Sequence, residues 1–274
     1  EGTKDDKTVI SFDNVVKQLH QIDNGSVVEF TGGEPLLHAK LIARIIDWAY
    51  EQERDYLWVL TTNGSLLPSE QFVIDYLTRF HLVRISVDGP REHHDLHRGV
   101  GSYDRAMRFL KMLHQRGYHR ISLNPTFTKH TINQLRSSSQ WFLSIQKRYE
   151  LPRLNLNLNV ADRADWNEED LRAYGLELER TLYWYGELSD SDKKHLSLTC
   201  LERASRSSFN LYEYLAVCPA GINVFALSPV GEKRLHQPGV SKASLAGLCG
   251  DLPLQNPAPL DESGQRLGKL DIHC

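Results

Sequence analysis

Apolar residues recur along this chain in two alternating rhythms. Short runs rich in β-branched side chains predict strands at 27–31 (VVEFT), 57–62 (LWVLTT), 82–87 (LVRISV), 121–127 (ISLNPTF) and 154–160 (LNLNLNV). Between them the apolar positions fall three and four apart, the spacing of one helical face. Phe12, Val15, Val16 and Leu19 make the first such face, and Leu41, Ile42, Ile45, Ile46 and Ala49 the second. Phe72, Val73, Tyr76 and Leu77 follow, then Ala106, Phe109, Leu110 and Leu113. Leu135, Trp141, Phe142 and Ile145 make the fifth face, and Leu171, Tyr174, Leu178 and Leu182 the last. Ser11 stands where a helix N-cap belongs, Pro68-Ser69 opens the third helix and Gly117 closes the fourth.

Such alternation predicts an α/β fold in which helices cover a parallel sheet through right-handed crossovers. The expected architecture is a partial (β/α)6 TIM-like barrel. The alternation opens on a helix, so the first strand and the loop after it are expected upstream of Glu1. Past about residue 187 the pattern changes. Segment 189–209 is polar and reads as loop, whereas 222–228 (INVFALS), a turn at Pro229–Gly231 and a second short run predict a hairpin. From 237 onward Gly, Pro and Ser are frequent and periodicity is weak. Two domains are expected, a barrel over 1–190 and a small irregular domain over 191–274.

Composition narrows the class. At 274 residues, with 41% hydrophobic and 24% charged residues, the chain reads as an ordinary folded enzyme. A net charge of −3 supplies no general pull toward nucleic acid or anionic lipid. No apolar run approaches the roughly 20 residues that cross a bilayer, and EGTKDDKT, with no apolar stretch, does not read as a secretory leader. Four scattered cysteines are too few for a disulfide scaffold of this size. The expectation is a cytoplasmic protein with neither nucleic-acid nor membrane partner.

Polar clusters follow the predicted strands. Thr31-Gly32-Gly33-Glu34-Pro35 ends the first, Thr61-Thr62-Asn63-Gly64 the second, and Ser86-Val87-Asp88-Gly89-Pro90 the third, with His94-Asp95 and Arg98-Gly99 shortly after. Each alone reads equally well as a turn: Gly-Gly and Asn-Gly are common turn dipeptides, and Asp88 suits a capping role. Arg98 alone reads equally as half of a surface ion pair. Together, at successive strand ends, they sit where α/β barrels gather their active sites. Twelve histidines, including His93, His94 and His97, show no zinc spacing and are expected mostly on the surface. Gly-x-Ser-x-Gly, Walker and dinucleotide-binding glycine loops are absent from the sequence.

VVEFTGGEPLL, LTTNGSLL and RISVDGPREHHDLHRGVGSYDRAM together resemble the radical S-adenosylmethionine (SAM) superfamily. Within it the likeness is to peptide- and protein-modifying maturases, including anaerobic sulfatase-maturating enzymes, and it covers about residues 10–160. The resemblance implies S-adenosyl-L-methionine held by Gly32, Gly33, Glu34 and Pro35 at its amino group. It places Asn63 in the same SAM site, and Ser86 and Asp88 along the ribose and methionine. Arg98 is then the candidate for the SAM carboxylate, which a guanidinium grips bidentately. The family's Cys-x-x-x-Cys-x-x-Cys, whose thiolates hold a 4Fe–4S cluster, occurs nowhere in the 274 residues. Its ligands are expected upstream of Glu1; the other reading is a pseudoenzyme that lost the cluster.

A second, weaker resemblance concerns the C-terminal domain. Cys218-Pro-Ala-Gly221, Gly231 and His236 are similar to the opening of SPASM/twitch domains, with His236 where the family has its second cysteine. Cys218, His236 and Cys274 are the candidate ligands of an auxiliary 4Fe–4S cluster; Cys218 reads equally as a buried small hydrophobe and His236 as a solvated loop residue. Catalytic residues are not assigned. The resemblance implies a peptide or protein substrate, a 5′-deoxyadenosyl radical, and an electron donor such as flavodoxin or ferredoxin. The rival function is a cluster-free module that binds a leader peptide or SAM. An unrelated aldolase or isomerase barrel has only Lys129 close behind a strand to recommend it.

Overall fold

The computed structural model describes residues 11–158, 166–198 and 201, and the strand backbones at 224–227, 233–234 and 269–273. Its strands are β1 (Val27–Thr31), β2 (Leu57–Thr62), β3 (Leu82–Ile85), β4 (Ile121–Leu123), β5 (Leu154–Leu156), β6 (Leu196–Leu198), β7 (Val224–Leu227), β8 (Lys233–Arg234) and β9 (Lys269–His273). Its helices are α1 (Phe12–Leu19), α2 (Ala39–Glu51), α3 (Glu70–Asp75), α4 (Arg91–Arg98), α5 (Ser102–Gln115), α6 (Leu135–Arg148), α7 (Glu168–Gly186) and α8 (Asp190–Lys193). The described residues form two compact units. One draws on Glu1–Thr61, Pro68–Leu82 and Asn210–Cys274, the other on Thr62–Leu67 and Val83–Phe209.

In the first unit β1 pairs in parallel with β2, from Val27↔Leu57 to Phe30↔Leu60. Its other edge pairs in parallel with β9, from Val27↔Lys269 to Thr31↔His273. Phe30 stacks on Trp58 at 5.7 Å between ring centroids and meets Phe80 edge-on at 6.0 Å. Val15 and Leu19 of α1 and Ile42 and Ile45 of α2 are fully buried; each such aliphatic side chain contributes about 1.5–3 kcal/mol. Ser11 caps α1, its hydroxyl accepting from the Asn14 N–H. At the other end the Leu19 carbonyl, which the helix cannot satisfy itself, accepts from Arg54 Nη2 and the Tyr56 hydroxyl.

In the second unit β3 pairs in parallel with β4 and β5 with β6. The predicted face of α5 (Ala106, Phe109, Leu110, Leu113) is completely buried. Gly117, at φ 72°, ends that helix, with the Tyr118 N–H returning to the Leu113 carbonyl. Asn167 and Asp170 form a reciprocal capping box on α7. The buried Glu177 of α7 accepts from the Arg136 N–H in the first turn of α6.

An α/β fold with parallel strands is thus present, and it departs from the sequence reading in particular places. Strands three to five are shorter than expected. β4 stops at Leu123 because Pro125 has no N–H to continue a ladder. The hairpin is present as antiparallel β7 and β8. Segment 189–209, expected as loop, contains α8 and β6, where Leu196 and Leu198 are fully buried. The tract after 237, expected to be irregular, supplies β9. β9 pairs with β1 on the side opposite β2. Among the described residues no helix is long and apolar enough to cross a membrane.

Candidate functional site

β1 ends at Thr31, and the next two residues turn with positive φ, 83° at Gly32 and 26° at Gly33. A side chain is strained there, so glycine lets the backbone lie open to a ligand. Glu34 returns to extended backbone and caps the short turn Pro35–His38, its Oε1 accepting from the Leu36 N–H at 3.1 Å. Glu34 and Pro35 are buried. Three residues before Gly32, the buried Glu29 accepts from the Thr61 hydroxyl at 2.6 Å.

The remaining predicted residues lie in the second unit. Asn63 Oδ1 accepts from the Ser65 N–H at 2.7 Å, and Thr62 Oγ1 from the Gly64 N–H at 3.0 Å, closing the turn after β2. Gly64 has φ +67°, and a Cβ there would stand 2.9 Å from the Ala106 backbone of α5. Ser86, half-buried, donates its N–H to the Thr62 carbonyl at 2.8 Å.

Asp88 is the centre of a network. Its Oδ2 accepts from Arg98 Nε at 2.6 Å and lies 2.8 Å from His97 Nδ1. Its Oδ1 accepts from Arg98 Nη2 at 3.0 Å and from the Thr126 N–H at 2.9 Å. Arg98 Nη2 also donates to Thr126 Oγ1 at 3.3 Å. Burial alone would push the Asp88 carboxyl up, but the hydrogen bonds from His97 and Arg98, the charge of Arg98 and the Thr126 N–H outweigh it. They hold the carboxyl down at about 2. Asp88 is 2% exposed, whereas the Arg98 side chain keeps 25%. Nη1 of Arg98 has no hydrogen-bond partner among the described residues. The result is a guanidinium fixed along one edge and open along another, a geometry suited to an incoming carboxylate.

The loop is shaped to hold this pair. Gly89 (φ +140°) leaves room for α6, since a Cβ there would stand 2.4 Å from Ser138 Oγ. Asp95 accepts from the N–H groups of Gly101 and Tyr103 and from the Ser102 hydroxyl. It thereby caps α5, and those bonds hold its carboxyl below the usual range. His94, expected with the surface histidines, is 1% exposed. Its Nδ1 accepts from the Asp88 N–H at 3.2 Å, and desolvation pushes its pKa down.

Gly32, Gly33, Glu34 and Pro35 therefore sit together behind β1, and Asn63, Ser86, Asp88 and Arg98 lie in the second unit. His97 and Thr126 were missed. Helical spacing places His97 and His94 on one face of α4, which was the available signal; Thr126 gives none. Cys218, His236 and Cys274 lie outside the described residues, as do Cys200 and Cys249. Among the described residues no three His, Cys, Asp or Glu side chains are grouped to hold a metal ion. The described residues include no cysteine, so they offer no thiolate to an iron–sulfur cluster.

Known proteins resemble this chain in sequence and in fold. The radical SAM superfamily model matches residues 1–141. The radical SAM cyclopropyl synthase TigE of Paramaledivibacter caminithermalis is 25% identical over 190 residues, 63% of this chain and 39% of that protein. The chain thus spans about two fifths of the length of that relative. Native anSMEcpe with bound AdoMet superposes with a TM-score of 0.58 at 16% identity, over 84% of this chain and 65% of that one. Native anSMEcpe with bound AdoMet and Cp18Cys peptide gives 0.50 at 19% identity, over 68% of this chain and 54% of that one.

Proposed function

We propose that this chain, which belongs to the radical SAM superfamily, binds S-adenosyl-L-methionine and serves in the modification of a peptide or protein. The observation that carries the reading is the Arg98 guanidinium, anchored on the buried Asp88 with Nη1 left open. In this reading Arg98 holds the methionine carboxylate of SAM. The open backbone at Gly32 and Gly33, with Glu34, receives its amino group; Pro35 fixes that turn, and Asn63 and Ser86 line the remainder. Bound SAM would supply a 5′-deoxyadenosyl radical for hydrogen abstraction once a reduced cluster gives it one electron and methionine leaves. The chain's own work is to bind it, orient it and keep water out.

A peptide substrate is suggested by the peptide bound in the anSMEcpe structure. In the proposed organisation, residues 1–190 make a partial barrel and 191–274 a SPASM/twitch-like domain. The β7–β8 hairpin that follows Cys218-Pro-Ala-Gly221 supports the second part. An electron donor such as flavodoxin or ferredoxin is the expected redox partner. None of the 274 residues forms the three-cysteine pattern, so no step through the cluster is assigned to this chain. The second reading is a cluster-free module that binds SAM or peptide.

One experiment separates them. The full-length protein is expressed anaerobically with iron and sulfide, reduced, and given SAM. Cluster absorbance with release of 5′-deoxyadenosine is the expected result. SAM binding without 5′-deoxyadenosine selects the binding module, and no SAM binding at all refutes the enzyme and the SAM-binding module alike, leaving a module that binds peptide.

A further inference from the structure

The four donors on Asp88 raise a question of role. Its two oxygens already meet Arg98 Nε, Arg98 Nη2, His97 Nδ1 and the Thr126 N–H. At 2% exposure it has no surface left for a ligand. A carboxylate so engaged would have to give up a charged, buried hydrogen bond to reach a ribose hydroxyl, which is the more costly arrangement. Arginine, by contrast, has a long and freely rotating side chain, and a guanidinium must be aligned before it can grip a carboxylate with two parallel bonds.

We infer that Asp88 is a positioning residue that aligns Arg98 for the carboxylate of SAM, with His97 as a second holder of Asp88, and that Asp88 does not touch SAM. The inference rests on the proposed role of Arg98. It replaces the expectation that Asp88 lies along the ligand.

The two histidines fit this division of labour. His97 Nδ1 faces a carboxylate whose oxygens only accept, so Nδ1 carries the proton. His94 Nδ1 receives the Asp88 N–H, so its proton is on Nε2. That Nε2 is buried with no hydrogen-bond partner among the described residues, and the ring stands edge-on to Tyr103 at 6.2 Å. One imidazole thus fixes the Asp88 side chain and the other its backbone. Both belong to α4, the helix that also carries Arg98, so the anchor and the anchored group are held by one element.

The test compares two ligands by isothermal titration calorimetry on the full-length protein. SAM carries the carboxylate; methylthioadenosine keeps the adenosine but has a neutral thioether in place of the sulfonium and lacks the aminocarboxypropyl arm, so Asp88 and Arg98 are compared on it as a ligand with no carboxylate to grip. Asp88→Asn is expected to weaken SAM at least about tenfold, the scale of one charged hydrogen-bond pair. Methylthioadenosine is expected to bind unchanged, and Asp88→Asn combined with Arg98→Ala no more weakly than Arg98→Ala alone, because both act through one group. If Asp88→Asn weakens both ligands alike, or if the two losses add, Asp88 contacts the ligand and the inference fails.

Arg98→Lys covers the case in which Asp88→Asn does not fold. Lysine keeps the charge and loses the fork that Asp88 grips. SAM binding by Arg98→Lys as weak as by Arg98→Ala supports positioning; affinity restored by the charge alone overturns it. Should Arg98→Ala leave the preference for SAM over methylthioadenosine intact, the carboxylate role of Arg98 itself fails. That failure is distinct from the failure of Asp88→Asn alone to change SAM affinity. His97→Gln is expected to weaken SAM only, by a few-fold; no change removes His97 from the proposal.

Discussion

Alanine at Gly64 and at Gly117 would separate two costs that a glycine in a turn can hide. Both residues lie in the left-handed region, at φ +67° and +72°. They differ in surroundings. A Cβ at Gly64 stands 2.9 Å from Ala106 Cα and 3.3 Å from Phe109 Cβ, while at Gly117 nothing lies within 4 Å. An L side chain in this region costs about 1–2 kcal/mol. Stiffening the unfolded chain offsets about 0.4–1 kcal/mol of that. Gly117→Ala should therefore destabilise by about 1 kcal/mol. Gly64→Ala carries the same cost plus overpacking against a helix backbone that cannot rotate away, typically about 1–3 kcal/mol more. Its total is about 2–4 kcal/mol. Urea unfolding followed by far-UV circular dichroism measures both, provided the slope with denaturant is unchanged. If the two variants agree within about 0.5 kcal/mol, close approach to α5 is not what demands glycine after Asn63.

Other outcomes follow from the same contacts. The Asp88 carboxyl sits at about 2 in the folded protein against an ordinary 3.8, worth about 2 kcal/mol at neutral pH. A depressed acid pKa stabilises above the unfolded value and ceases to as pH falls through the folded one. Between pH 4 and 2 the parent should therefore lose about 2 kcal/mol more than Asp88→Asn, measured by urea midpoints at the two pH values. Equal losses would mean that the network does not hold the carboxylate. Asn167→Ala removes the side-chain half of the α7 capping box, and should cost about 1 kcal/mol in the same assay. An unchanged midpoint would show that α7 starts without it.

Legibility from the sequence followed chemistry rather than position. β1 and β2 begin and end where their apolar runs do, because a polar turn bounds each run. Helix α4 was invisible to periodicity. Its eight residues, REHHDLHR, contain one aliphatic residue, Leu96, and that residue is exposed. The helix buries His94 instead. β6 is only three residues long, with the buried Ser197 between its leucines, bonded to Asn155 Oδ1. So short a run in a polar tract carries no signal. The site was legible as a set of residue types at strand ends. Which of Asp88 and Arg98 faces outward was not, because that depends on His97 and Thr126, brought in from α4 and from beyond β4.

The pairing of β1 with β9 also sets a timetable. Val27 and Lys269 lie side by side yet are roughly 240 positions apart in the chain. At about 5–20 residues per second on a ribosome, β1 waits some tens of seconds for this neighbour. The closing of that ladder is therefore a late event with a large loop to close, which slows folding. Residues 83–209, whose β3–β4 and β5–β6 pairs are local by comparison, can complete their ladders first. Until β9 arrives, one side of β1 is an unpaired template, and newly made protein is most exposed to misassociation during that interval.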